Sequence, residues 1–162
     1  MKELILMRHA KSDWGSPLLR DHARHLNKRG QRSATALGEW LRAQDLIPDQ
    51  ILCSSATRTQ ETCTRLKLPL SPELHDALYL AEMPDMLRLL RGASGARVLI
   101  LGHNPGIAEF AASLVATAPA HERFDDYPTG ATLVVRFEID HWADLIPGTG
   151  AVQQFVIPRE LT

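Results

Sequence analysis

The sequence predicts an α/β fold: a three-layer αβα sandwich on a mostly parallel sheet with an antiparallel edge. Short apolar runs alternate with stretches of helical periodicity, the pattern of βαβ units. The apolar runs are nearly unbroken, as strands covered on both faces require. The last two β-like runs are joined by a turn-rich segment without a helix, so they pair antiparallel.

Each element follows from its residues. Leu4–Met7 (LILM) is the first buried strand. A helix over residues 31–44 places Ala34, Leu37 and Leu41 on one face, with Pro48 soon after its end. Residues 50–53 (QILC) form the second strand, and Ser54 and Ser55 offer N-caps to a helix reaching Arg65. Pro84 opens a helix carrying Met86, Leu87, Leu89 and Leu90. Residues 97–101 (RVLIL) are the clearest strand, after which Asn104 caps and Pro105 starts a helix through Ala116. Residues 117–130 are polar and proline-bearing, a surface loop, before the strands 131–139 and 151–157. No repeat or linker divides the chain, so residues 1–162 form one domain.

Composition narrows the function. With 44% hydrophobic and 23% charged residues the chain is an ordinary soluble one. A net charge of −1 argues against nucleic acid or an anionic membrane as partner. No stretch approaches the roughly 20 apolar residues of a membrane span. Lys2 and Glu3 beside an apolar run of four residues do not make a signal peptide. Cys53 and Cys63 are too few for a disulfide framework and show no metal-ligand spacing, so reduced thiols and a cytoplasmic location are expected; the chain is also expected to be a monomer. Between Arg8 and Arg32, seven Lys/Arg stand against two acids, which suits either a small-anion site or a solvated loop.

Ligands of open α/β sheets sit at the carboxyl ends of the parallel strands. Strand one runs into Arg8-His9, strand two into SSATRT with Arg58, and the third into GHNPG with His103. Two arginines and two histidines at three separate strand ends fit phosphoryl transfer through a histidine. Guanidinium groups grip phosphate bidentately, and neutral imidazole is a nucleophile near neutral pH. Asn104 and Ser54, at helix starts, are candidate phosphate contacts.

RHA near the N-terminus, SSATRTQET and GHNPG together resemble the histidine phosphatase superfamily, whose fold is phosphoglycerate mutase-like. The length, RHAKSDW, LNKRG and LYLA resemble its small SixA-type phosphohistidine phosphatases, from Met1 to about Ile157. The resemblance implies that His9 is the phosphorylated nucleophile, that Arg8, Arg58 and His103 complete the pocket, and that the hydrolase needs no metal or other cofactor. Ala10 stands where the superfamily usually has glycine, a position that tolerates a methyl group. The general acid is less evident: Asp21 in the basic loop is the leading candidate, and Glu82 the alternative with a surface role as its plainer reading.

A site with weak acid assistance suits phosphoramidates, whose nitrogen leaving group departs readily once protonated. The expected substrate is therefore phosphohistidine on a signalling or phosphotransfer protein, with a small phosphate ester as alternative and an idle phospho-binding module as a further one. His22, His25, His75, His121 and His141 read as surface or packing residues, as do Trp40 and Trp142. Trp14 is placed at the pocket mouth, and Thr129 in a loop-closing role.

Overall fold

The computed structural model describes all residues, 1–162. Strand alternation decides its layers. In β1 (Lys2–Arg8), Leu4 and Leu6 join a core with Met86, Leu90, Ile107 and Phe110, while Ile5 and Met7 join Leu37, Leu41 and Leu66. All four strand residues are inaccessible to water, and each contributes about 1.5–3 kcal/mol by leaving it.

The first core lies under α3 (Met83–Arg91) and α4 (Gly106–Leu114), and the second under α1 (Lys28–Ala43) and α2 (Thr57–Leu66). Between them runs one six-stranded sheet, which adds β2 (Gln50–Ser54), β3 (Glu73–His75), β4 (Arg97–Gly102), β5 (Thr132–Phe137) and β6 (Ala151–Val156) to β1. Its order is β3-β2-β4-β1-β5-β6. The first four in that order are parallel, and β5 and β6 form the antiparallel edge. The fold is thus the three-layer α/β arrangement that the sequence predicts. No helix is long and apolar enough to cross a membrane.

The differences have local causes. The three-residue β3, Glu-Leu-His, is too short and polar for periodicity to reveal. Helix α1 starts at Lys28, because the Asn27 side chain accepts from the Gly30 N–H at 2.7 Å. Ser54 and Ser55 do not cap α2; Ala56 holds that position. Asn104 does not cap α4, since its amide is bound to loop carbonyls and the helix begins at Gly106 after a cis Asn104–Pro105 bond. That helix stops at Leu114, where Val115 turns extended to pair with Gly150. The segment 117–130 is not simply a surface loop: Phe124 and Tyr127 are buried in the first core. The Tyr127 hydroxyl donates to the Leu6 carbonyl and accepts from the Leu133 N–H at 3.1 Å, pinning the segment to β1 and β5.

Candidate active site

Because β4 lies between β2 and β1, three carboxyl ends from distant stretches of chain become neighbours. Their register is level: Arg8 pairs with Gly102, Cys53 with Leu101, and the His9 N–H donates to the Gly102 carbonyl at 3.1 Å. Beyond these ends is a hollow of about 380 Å³ lined by Arg8, His9, Asp21, Arg58, His103 and Asn104. Lys11, Trp14 and Thr129 also line it, and Trp14 is 67% exposed. A more open hollow of about 570 Å³ along α1 has no histidine at its walls.

His9 is buried, with Nδ1 2.6 Å from the Ala10 carbonyl. A carbonyl only accepts, so Nδ1 carries the proton and the Nε2 lone pair is left free. Burial pushes the His9 pKa down to about 3; the Ala10 bond works against this, and the Arg8 and Arg58 charges reinforce it. The ring is therefore neutral at physiological pH.

His103 stands 5.2 Å from His9, centroid to centroid, with the rings inclined at 52°. Its Nε2 lies 2.8 Å from Ser54 Oγ, which accepts from the Ala56 N–H at 3.2 Å. The Ser54 hydroxyl has no other acceptor among its partners, so it donates to Nε2 and the His103 proton resides on Nδ1, which has no partner. Burial, followed by the His9 and Arg58 charges, also takes this pKa to about 3. Ser54 is wholly buried and does not line the hollow. It is not the phosphate contact that the sequence predicts, because its hydroxyl is used on His103.

Arg58, in the first turn of α2, is fixed by Asp21: Nη1 donates to the Asp21 carbonyl at 2.7 Å and Nη2 to Oδ2 at 3.0 Å. The Tyr79 hydroxyl donates to the same Oδ2 at 2.5 Å. Burial raises the Asp21 pKa, but the Tyr79 and Arg58 bonds outweigh it and hold the carboxyl below the usual range. Asp21 is thus an anion that orients Arg58, a state that has no proton to donate. Tyr79 escapes the sequence reading, since nothing local marks a tyrosine as the partner of a carboxylate 58 positions away.

Arg8 donates through Nη1 to the Tyr127 carbonyl at 3.2 Å. Burial, and after it the Arg58 charge, push its pKa down: the two guanidinium groups repel across a hollow that an anion would neutralise. Asn104 lines that hollow, but its Nδ2 is spent on the carbonyls of Asp126 at 2.8 Å and Tyr127 at 3.1 Å. Glu82 is exposed at the start of α3 and outside the lining. His25 pairs with Glu61 at 2.6 Å, and His22 meets Ser55 Oγ at 3.0 Å; neither lines the hollow.

A family model for the histidine phosphatase superfamily (branch 1) matches residues 4–86. The chain belongs to the histidine phosphatase superfamily. An uncharacterized protein of Mycobacterium tuberculosis (strain ATCC 25618 / H37Rv) is 35% identical over 160 residues, covering 94% of this chain and 100% of the relative. Among solved structures, a candidate phosphohistidine phosphatase SixA from Nakamurella multipartitia is 30% identical at a TM-score of 0.84, covering 97% of this chain and 96% of its own. Another SixA candidate, from Agrobacterium tumefaciens, has a TM-score of 0.79 with 97% and 99% covered; at 22% identity it speaks for the fold alone. Phosphatase chemistry is what this family and the hollow have in common.

Proposed function

We propose that the protein is a metal-independent phosphohistidine phosphatase acting on a signalling or phosphotransfer protein, with His9 as its nucleophile. The free Nε2 lone pair of His9 attacks phosphorus, and the substrate's P–N bond breaks as its imidazole, already protonated on its other ring nitrogen, leaves with the bonding electrons as a neutral molecule. Water then attacks phospho-His9, releasing phosphate and restoring the neutral ring. Arg8 and Arg58 hold the phosphoryl oxygens, and His103 stands beside them in the same lining.

The observation that carries this choice of substrate is the state of Asp21. It is the carboxylate lining the hollow, and it is held ionised by Tyr79 and Arg58. An alkoxide leaving group needs an acid to protonate it, whereas an imidazole protonated on its other ring nitrogen leaves as a neutral molecule. Turnover of phosphohistidine peptides beside simple phosphate monoesters, with trapping of the phosphoenzyme, tests the proposal. The peptides are expected to be strongly preferred, and EDTA to leave the rate unchanged. A preference for monoesters would replace this reading with a small-molecule phosphomonoesterase.

A further inference from the structure

Beside the catalytic hollow lies a second one of about 200 Å³, lined by Lys11, Arg29, Arg123 and Arg159 together with Ser33 and Thr129. No carboxylate is in its lining. Lys11 and Thr129 line both hollows, so the two share a wall. Arg123 is paired with Asp126 at 2.9 Å, whereas Lys11, Arg29 and Arg159 form no ion pair. In a chain with 18 Lys/Arg and 19 Asp/Glu, three of these four cations therefore stand without a carboxylate partner.

The backbone builds this grouping. A Cβ on Gly30 would overlap the Lys11 carbonyl oxygen, so glycine lets the first turn of α1, with Arg29, press against the segment leaving β1. Gly130, at φ 77°, packs where a Cβ would overlap the Pro158 ring, bringing the Thr129 segment to the turn that carries Arg159. Arg29 moreover stands in a first helical turn that has no acid, where positive charge opposes the helix dipole. The fold therefore holds cations together against their mutual repulsion.

We infer that this second hollow is an oxyanion subsite, holding a carboxylate or phosphate on the same substrate whose phosphoryl group enters the catalytic hollow. The inference rests on the phosphatase reading of the neighbouring site. Guanidinium forks recognise either anion by paired charge-assisted hydrogen bonds. The anion comes from an acidic side chain close to phosphohistidine, or from a second phosphate on a small ester.

Two matched substrate pairs distinguish these sources: a phosphohistidine peptide with a neighbouring Glu or Gln, and a small phosphate ester bearing a second phosphate or a hydroxyl. KM and kcat are measured for each with the parent and with the Arg29→Gln/Arg159→Gln variant, whose fold is checked by thermal melting. In at least one pair the charged member should have a KM about tenfold lower, with kcat alike. That ratio should fall towards one in the double variant and in about 0.5 M salt. An effect in the peptide pair assigns an acidic side chain, and one in the ester pair assigns a second phosphate. A ratio near one in both pairs with the parent, or one that survives the double substitution, overturns the subsite. Ester turnover without peptide turnover would instead overturn the phosphohistidine reading, and the ester pair alone would then decide the subsite.

Discussion

The two walls of the catalytic hollow are built differently. One wall is made of strand ends: His9 and His103 are buried, their ring nitrogens are set by Ala10 and Ser54, and His9 is hydrogen-bonded to the sheet itself. The other wall is loop: Asp21 is 40% exposed, Trp14 more so, and their positions depend on side-chain contacts such as Arg58–Asp21 and the Arg24 guanidinium 4.2 Å over the Trp14 ring. Groups that must meet a phosphorus atom in line, and the Arg8 and Arg58 charges, are placed on strand and helix ends, while the yielding wall orients Arg58 and admits substrate. The contrast also separates two histidines of like pKa. His9 keeps a bare nitrogen and His103 keeps a bare N–H, because one is wired to an acceptor and the other to a donor.

The contrast can be broken in steps of decreasing size. His9→Ala removes the nucleophile from the rigid wall and should lower phosphate release at least about 10⁴-fold, with an unchanged circular dichroism spectrum. Full-rate release by that variant would displace His9 from its role. Arg58→Lys keeps the charge but loses the fork that Asp21 orients, and kcat/KM should drop about 10²- to 10³-fold. A variant equal to the parent would show that a point charge at the start of α2 suffices.

Ser54→Ala sharpens the difference between the histidines. Without the hydroxyl donor, the His103 proton is free to move to Nε2, so kcat should fall about 10- to 100-fold while KM changes little. Nitrogen-15 chemical shifts of the His103 ring should report the altered tautomer, which a merely structural loss would not produce. An unchanged tautomer with full activity would remove Ser54 as a positioning residue.

The smallest expected effect is on stability. Both buried histidines have native pKa values of about 3 against an ordinary 6.5. The unfolded chain takes up protons over that interval while the folded one resists them, so stability should decline as pH falls from about 6.5 towards 3. Urea midpoints between about pH 7 and about pH 4.5 should fall less steeply for His103→Gln than for the parent. Parallel slopes would mean that histidine burial is not the source.

How much of this is legible in the sequence depends on the distance over which each feature is specified. LILM and RVLIL declare buried strands by unbroken apolar composition, and the arginines and histidines at their ends declare the hollow. The antiparallel edge is visible because its connection holds no helix. Tyr127 is hidden because an aromatic in a proline-bearing polar stretch looks solvent-facing, and only its contacts with Leu6 and Leu133 show otherwise. Ser54 looks like a helix cap, since serine after a strand usually is one; its partner His103 is 49 positions away. Asp21 is identifiable as a pocket residue, but its charge state is set by Tyr79 and Arg58, which no local pattern connects to it.

The position of β4 between β2 and β1 also bears on folding. On their outer sides β1 pairs with β5 and β2 with β3, but the His9 and Arg58 segments come together only when residues 97–102 lie between them. Pairings this far apart in the chain are slow to close. Enzymatic competence should therefore emerge late and all at once, which makes recovery of turnover during refolding a direct clock for completion of the central sheet.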